Sequence, residues 1–167
     1  VQLATAYAAL VNGGTVWQPR LVDEIRTEDG ELVTENPPTV LNVVEDLSAS
    51  TVRALRNDLR RVFNDPRVTA YSAIEGFGDN LEQVGGKSCT AEVIKRREDD
   101  DGNVIQEAVT TALFVGVSPV DNPEWVVVVI VERGGSGGAV AAPTARPVLQ
   151  HLLDQPVTAV SLGEEAD

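Results

Sequence analysis

The chain has 167 residues, of which 43% are hydrophobic and 23% charged, a composition that supports one compact domain and excludes wholesale disorder. Its 26 acidic and 13 basic residues give a net charge of −13, which argues against a nucleic-acid backbone or an anionic membrane surface as partner. One Cys and one His exclude a disulfide framework and leave no ligand set for a zinc site, and the longest apolar runs are far shorter than a bilayer span.

The first predicted element is a helix over Gln2–Val11, where apolar residues recur at helical spacing. Gly13-Gly14 is expected to end it, because the C-terminal cap of a helix favours a left-handed residue. The chain contains no Met and its first residues already follow the helical pattern, so we expect it to be the later portion of a longer protein.

An extended region is predicted next, over Thr15–Ile25, with a turn at Asp29-Gly30 before Glu31–Thr34. Asn36-Pro37-Pro38 breaks any regular structure after it.

A second helix is predicted from an N-cap at Ser48 to about Asn64, with its apolar residues on one side and its arginines away from them. Asp65-Pro66 closes this helix. A single short helical turn is expected over Thr69–Ile74.

The last half is predicted to contain three strands and a helix. The first strand covers Val84–Lys95 and leads into a polar turn over Arg96–Asn103. Thr110–Val117 and Trp125–Glu132 form a hairpin whose continuous hydrophobicity predicts that both faces of the sheet are covered, and a helix over Val140–Leu153 follows. Helices early and late around consecutive strands predict an α+β fold with an antiparallel sheet flanked by helices.

Three features have a functional and a plainer interpretation. Gly134–Gly138 lies where a phosphate cradle would sit, but matches neither glycine-rich phosphate motif, so a flexible sheet-to-helix connection is favoured. His151 has no activated Ser or Cys at readable spacing, so a surface or packing histidine is favoured. The run Asp99–Asp101 lacks the spacing of a calcium loop and is interpreted as a solvated turn.

The segment most informative about chemistry places two glycines before Lys87, Ser88, Cys89 and Thr90 on a predicted strand. Alternate residues of a strand share a face, so Ser88 and Thr90 point one way and Lys87 and Cys89 the other. Two hydroxyls beside an ammonium form a receptor for a carboxylate, and the glycines permit close approach of backbone or ligand. The alternative is a polar edge strand with an incidental lysine.

Lys87-Ser88-Cys89-Thr90 resembles the Lys-Thr/Ser-Gly-Thr motif of the penicillin-recognising serine transpeptidases and β-lactamases. Three further segments resemble class B penicillin-binding proteins in the same order: Gln2–Thr15, Gly116–Pro119, and Gly134–Pro143 with Arg146. The resemblance covers roughly Val1 to Leu153. It implies a partial penicillin-binding transpeptidase or serine β-lactamase-like fold, with residues 1–155 as the C-terminal part of a transpeptidase domain and residues 156–167 as an acidic tail.

The resemblance implies a peptidoglycan D,D-transpeptidase that needs no cofactor and is a target of β-lactams. In that family the serine of a Ser-x-x-Lys motif attacks the D-Ala-D-Ala amide of a stem peptide. Carried over, Lys87 supplies positive field, the hydroxyls of Ser88 and Thr90 hold the substrate carboxylate, and the backbone N–H of Thr90 is an oxyanion donor. It also implies an N-terminal membrane anchor, a site outside the cytoplasmic membrane, and a membrane glycosyltransferase of cell-wall synthesis as partner.

Two departures from the family pattern matter. No Ser-x-x-Lys occurs in the chain, so the nucleophile and the Ser-x-Asn motif are expected in the N-terminal half of the same protein, and this chain alone is expected to be inactive. Cys89 stands where the family has Gly, and its thiol adds bulk to the substrate-binding strand. The alternative is therefore a non-catalytic relative that serves as a scaffold in cell-wall synthesis or division.

Overall fold

The computed structural model describes residues 1–65, 67, 70–71, 73, 77–78, 80–98 and 103–153. The chain divides into two compact units, residues 1–53 and 54–167, and the boundary falls within its second helix. Half of the helical turn predicted over 69–74, the run Asp99–Asp101 and the tail at 156–167 lie outside the described residues.

The first unit begins with helix α1, Gln2–Asn12, which confirms the predicted helix. Gly13 ends it in the left-handed conformation at φ 95°, with its N–H bonded to the carbonyl oxygen of Ala9. The side chain of Asn12 stabilises the next turn, since its Oδ1 accepts hydrogen bonds from the N–H groups of Gly14 and Thr15 at 3.1 and 2.9 Å.

Four short strands complete this unit as two antiparallel pairs. Strand β1 (Thr15–Trp17) pairs with β4 (Val40–Val43), and β2 (Glu24–Arg26) pairs with β3 (Leu32–Glu35). The predicted extended region over 15–25 is therefore two strands with irregular chain between them, and β4 was not predicted. Every residue of β2, β3 and β4 is exposed, so these strands carry no alternation of buried and exposed positions.

Helix α2 spans Ala49–Asn64 and begins one residue after the predicted N-cap, Ser48. The Oγ of Ser48 accepts a hydrogen bond from the N–H of Thr51 at 3.1 Å, which is the N-cap geometry the sequence predicts.

The second unit contains a three-stranded antiparallel sheet in the order β5–β6–β7. Strand β5 spans Gly85–Glu98, β6 spans Val104–Ser118 and β7 spans Trp125–Val131. A π-helical turn, Gly137–Ala141, then leads into helix α3, Ala142–Leu152. This order confirms the α+β prediction, but β5 and β6 are longer than expected because they continue past β7 as a two-stranded ribbon.

The core of this unit lies between the sheet, α3 and the end of α2. The rings of Phe63 and Phe114 have centroids 5.5 Å apart, and Leu149 of α3 is fully buried with them. Successive residues of β6 from Phe114 to Ser118 are buried, so both faces of that strand are covered there. In β7 the prediction of two covered faces is wrong, since Trp125 and Ile130 are exposed.

Among the described helices none is both long enough and apolar enough to cross a membrane.

Candidate active site

The strand that carries the predicted motif begins at two glycines that the surrounding packing requires. A Cβ on Gly86 would lie 2.5 Å from Cζ of Phe114 and 2.8 Å from the carbonyl oxygen of Val115. A Cβ on Gly85 would lie 2.8 Å from Cγ2 of Val120. The close approach expected at these glycines is therefore made by the protein's own atoms, and it fixes the start of β5 against the core.

The register with β6 determines which way the motif residues point. Ser88 lies opposite Phe114 and Thr90 opposite Ala112, and both partners are fully buried. Residues directly opposite each other in an antiparallel pair share a face, so Ser88 and Thr90 lie on the face that Phe114 occupies. Lys87 lies opposite Val115 and therefore projects from the other face, as the sequence predicts.

Lys87 and Cys89 are both exposed on that second face. The Nζ of Lys87 donates a hydrogen bond to the carbonyl oxygen of Ser88 in its own strand. Within the part of the chain that the structure describes, β5 is an edge strand, and only one of its two sides is paired, with β6. The ammonium of Lys87 therefore lies against the backbone of β5, at the neighbouring residue Ser88.

The glycine-rich segment packs directly against the motif. The N–H of Gly137 donates a hydrogen bond to Oγ1 of Thr90 at 3.1 Å. A Cβ on Gly137 would lie 2.1 Å from the carbonyl oxygen of Cys89 and 2.5 Å from that of Leu113, so only glycine fits here. The segment is the predicted connection from sheet to helix, and within it Gly137 and Gly138 are buried.

Gly137 is the residue of this site that sequence reasoning missed. Its glycine-rich surroundings before a helix were the available signal, but the atoms that exclude a side chain lie on β5 and β6, far away in the sequence. The N–H of Gly137, which a phosphate cradle would use, is bonded to Thr90 instead.

Of the two remaining predicted candidates, the run Asp99–Asp101 lies outside the described residues. His151 is exposed on α3. Within the ranges that the structure describes, no three His, Cys, Asp or Glu side chains come together as a group able to hold a metal ion.

Comparison with known proteins assigns the chain to a family. The family model "Penicillin binding protein transpeptidase domain" matches residues 1–150. The peptidoglycan D,D-transpeptidase MrdA of Haemophilus influenzae is 33% identical over 158 residues, which are 93% of this chain and 24% of that protein.

Two solved structures have the same fold. The D,D-transpeptidase domain of a peptidoglycan glycosyltransferase from Eggerthella lenta is 27% identical with a TM-score of 0.66, and the match covers 92% of this chain and 31% of that one. Penicillin-binding protein 3 of Mycobacterium tuberculosis, complexed with ampicillin, is 26% identical with a TM-score of 0.64, over 99% and 36% of the two chains.

The chain therefore has part of the fold of the penicillin-recognising proteins. The chain belongs to the family of penicillin-binding protein transpeptidase domains, and the resemblance to class B penicillin-binding proteins is confirmed. It spans about a quarter of the length of the curated relative and about a third of each solved chain.

Proposed function

We propose that this chain supplies the carboxylate- and oxyanion-binding strand of a peptidoglycan D,D-transpeptidase. The observation that carries the proposal is the arrangement of β5: two hydroxyls, from Ser88 and Thr90, share one face of the strand, and the ammonium of Lys87, which projects from the other face, is bonded to the Ser88 carbonyl. Hydroxyl donors beside an ammonium suit the C-terminal carboxylate of a D-Ala-D-Ala stem peptide and the carboxylate of a β-lactam.

The backbone of β5 is proposed to contribute an oxyanion donor. Backbone groups of alternate residues point to the same side of a strand, so the N–H of Thr90 lies on the same side as the carbonyl of Ser88. That carbonyl accepts the bond from Lys87, which supports its being on the accessible edge. An N–H there would face the oxygen of a substrate carbonyl placed along β5.

The proposed reaction is acyl transfer through a serine outside this chain. Its Oγ attacks the carbonyl carbon of the D-Ala-D-Ala amide, the C–N bond breaks, and the released D-Ala takes a proton. An amine of a neighbouring stem peptide then attacks the ester carbon, and the serine oxygen leaves and regains its proton. The Thr90 N–H stabilises the negative charge that develops on the carbonyl oxygen in both steps, and Lys87 supplies positive field beside the serine and the substrate carboxylate.

The proposal extends to the whole protein that contains this segment. The part of that protein N-terminal to this segment would supply the Ser-x-x-Lys and Ser-x-Asn motifs together with a membrane anchor. The domain would then act on the outer side of the bacterial cell membrane, beside a membrane glycosyltransferase of cell-wall synthesis. The family membership of this chain supports these expectations.

A second candidate function rests on Cys89. The family has Gly at this position, and the thiol projects from the same face as Lys87. If the part of the protein that carries the nucleophile packs closely on that face, the added bulk would displace the oxyanion donor. The protein would then keep the fold as a scaffold in cell-wall synthesis or division, without transpeptidation.

Acylation of the full-length protein by a fluorescent penicillin separates the two functions. An enzyme is labelled covalently, and Lys87→Ala should lower the second-order acylation rate by about 10²-fold, the cost of losing one electrostatic stabiliser. Lys95→Ala is the matched control, because Lys95 is the chain's other lysine, lies on the same strand and is half-exposed beside Glu132. A scaffold would remain unlabelled, with or without Lys87.

A further inference from the structure

We propose that Gly137 is a positioning residue for the Thr90 hydroxyl: its N–H holds Oγ1 so that the hydroxyl proton is directed toward the substrate carboxylate. The inference rests on the function proposed above and adds a residue that the motif does not contain. It makes Gly137, the first residue of the π-helical turn before α3, a part of the substrate-binding apparatus.

The contact joins two segments that are distant in the chain. The N–H of Gly137 lies 3.1 Å from Oγ1 of Thr90, and the two residues are 47 positions apart. Gly137 is buried, whereas Thr90 remains exposed, so the bond leaves one side of the hydroxyl open to a ligand.

The chemistry of a hydroxyl explains why this bond orients Thr90. A threonine hydroxyl has one donor and two acceptor lone pairs. The Gly137 N–H occupies one lone pair, which excludes the hydroxyl proton from that direction. The hydrogen bond that the oxygen accepts also polarises its O–H bond, which strengthens the hydrogen bond that the hydroxyl then donates. An ionised carboxylate accepts hydrogen bonds and donates none, so it matches the remaining proton.

The glycine is held in place from both directions. On the strand side its Cα packs against the carbonyl oxygens of Cys89 and Leu113, where a Cβ would overlap at 2.1 and 2.5 Å. On the helix side it begins the π-helical turn that leads into Ala142 and Ala145, which are 1% and 0% exposed. Movement of the N–H would require the strand or the core of α3 to move.

The test compares acylation of the full-length protein by benzylpenicillin and by its methyl ester, which lacks the negative charge. Gly137→Ala forces the loop off the strand and should reduce the rate for the acid at least about tenfold more than the rate for the ester. Ser136→Ala is the control, because the Ser136 side chain is exposed and makes no capping hydrogen bond. It should leave the acid-to-ester ratio of the wild type unchanged.

Two variants at Thr90 test the bond if Gly137→Ala does not fold. Thr90→Val removes the hydroxyl with little change of shape and should collapse the acid-to-ester ratio, whereas Thr90→Ser should retain it. Amide hydrogen exchange of residues 134–140 is the second readout. The Gly137 amide should exchange faster in Thr90→Val and as in the wild type in Thr90→Ser.

The outcomes distinguish this inference from the proposed function. If the wild type is acylated but Gly137→Ala or Thr90→Val lowers both rates equally, Gly137 has only a structural role and the inference is overturned. Unchanged exchange of the Gly137 amide in Thr90→Val overturns it as well, whether or not acylation occurs. A wild type that no penicillin acylates, with the exchange difference present, overturns the proposed function and leaves the contact demonstrated.

Discussion

Arg60 and Asp121 form an ion pair, with 2.5 Å between Nη2 and Oδ1, that ties α2 to the turn between β6 and β7. The Nε of Arg60 also donates to the carbonyl oxygen of Glu82 at 2.9 Å, directly before β5 begins. Val120 lies in the turn between β6 and β7, and its N–H donates to the carbonyl oxygen of Gln83 at 2.8 Å. Arg60 of α2 therefore connects the segment before the motif strand to the turn between β6 and β7.

Arg60→Ala should lower the free energy of unfolding by about 1 kcal/mol, because it removes a partly exposed ion pair and a hydrogen bond to a carbonyl. Arg53→Ala is the control on the same helix, since Arg53 is exposed. Urea denaturation of the full-length protein measures both. Equal denaturation midpoints for the two variants would show that the contacts of Arg60 with Asp121 and Glu82 do not stabilise the protein.

Gly86→Ala should be more costly, by about 1–3 kcal/mol, because the new methyl group overlaps the Phe114 ring and a β6 carbonyl. Gly30→Ala provides the contrast, since nothing lies within 4 Å of its added Cβ and only its φ of 86° is unfavourable. Thermal unfolding compares the two. A Gly86→Ala variant as stable as the wild type would show that the core yields easily at this point.

These contacts mark the limit of what the sequence predicts. Helix α2 follows from its apolar periodicity and from Ser48, which are local signals, and its observed bounds of Ala49–Asn64 differ little from the prediction. The packing of Gly137 depends on carbonyl oxygens of Cys89 and Leu113, which no local pattern contains. The glycine-rich run could be recognised in the sequence, but the packing that requires glycine at position 137 could not.

The strands show the same division. The face of each motif residue followed from alternation, and the β5–β6 register agrees with it. Strand β4 was missed because its four residues are all exposed and follow two prolines. The extension of β5 to Glu98 was missed because charged residues there resemble a turn, whereas pairing with Val104 and its neighbours keeps them extended.

A pH effect is expected at the end of α2. Asp65 accepts hydrogen bonds from the N–H, Nε and Nη2 of Arg67 at 3.1, 2.8 and 2.7 Å, and these bonds hold the pKa of the Asp65 carboxyl well below its usual range. A lowered pKa in the folded state stabilises the protein above the ordinary pKa of Asp, about 3.9, and the contribution is lost as the pH falls below it.

Asp65→Asn should therefore lower the Tm at pH 7, and the difference from the wild type should shrink progressively below about pH 4. Asp58→Asn serves as the control, because Asp58 is largely exposed and lies 4.0 Å from its arginine partner. A Tm difference that stays constant between pH 7 and pH 2.5 would contradict the assigned role of the Arg67 bonds.

Cys89→Gly tests whether the thiol crowds the site. In the full-length protein it should speed acylation by a β-lactam, because glycine restores the close approach that the family makes at this position. Stopped-flow acylation kinetics measure the change. Unchanged kinetics in Cys89→Gly, together with loss of acylation in Lys87→Ala, would show that the site tolerates the thiol.

The most direct test of the account is where a penicillin attaches. Intact-mass and peptide-mapping analysis should find one equivalent of penicillin on the full-length protein, bound to the serine of a Ser-x-x-Lys motif outside these 167 residues. The 167-residue chain incubated alone should gain no mass, because it holds the proposed carboxylate receptor without that nucleophile. A stoichiometric adduct within this chain, on Cys89 or on one of its own serines, would contradict the account.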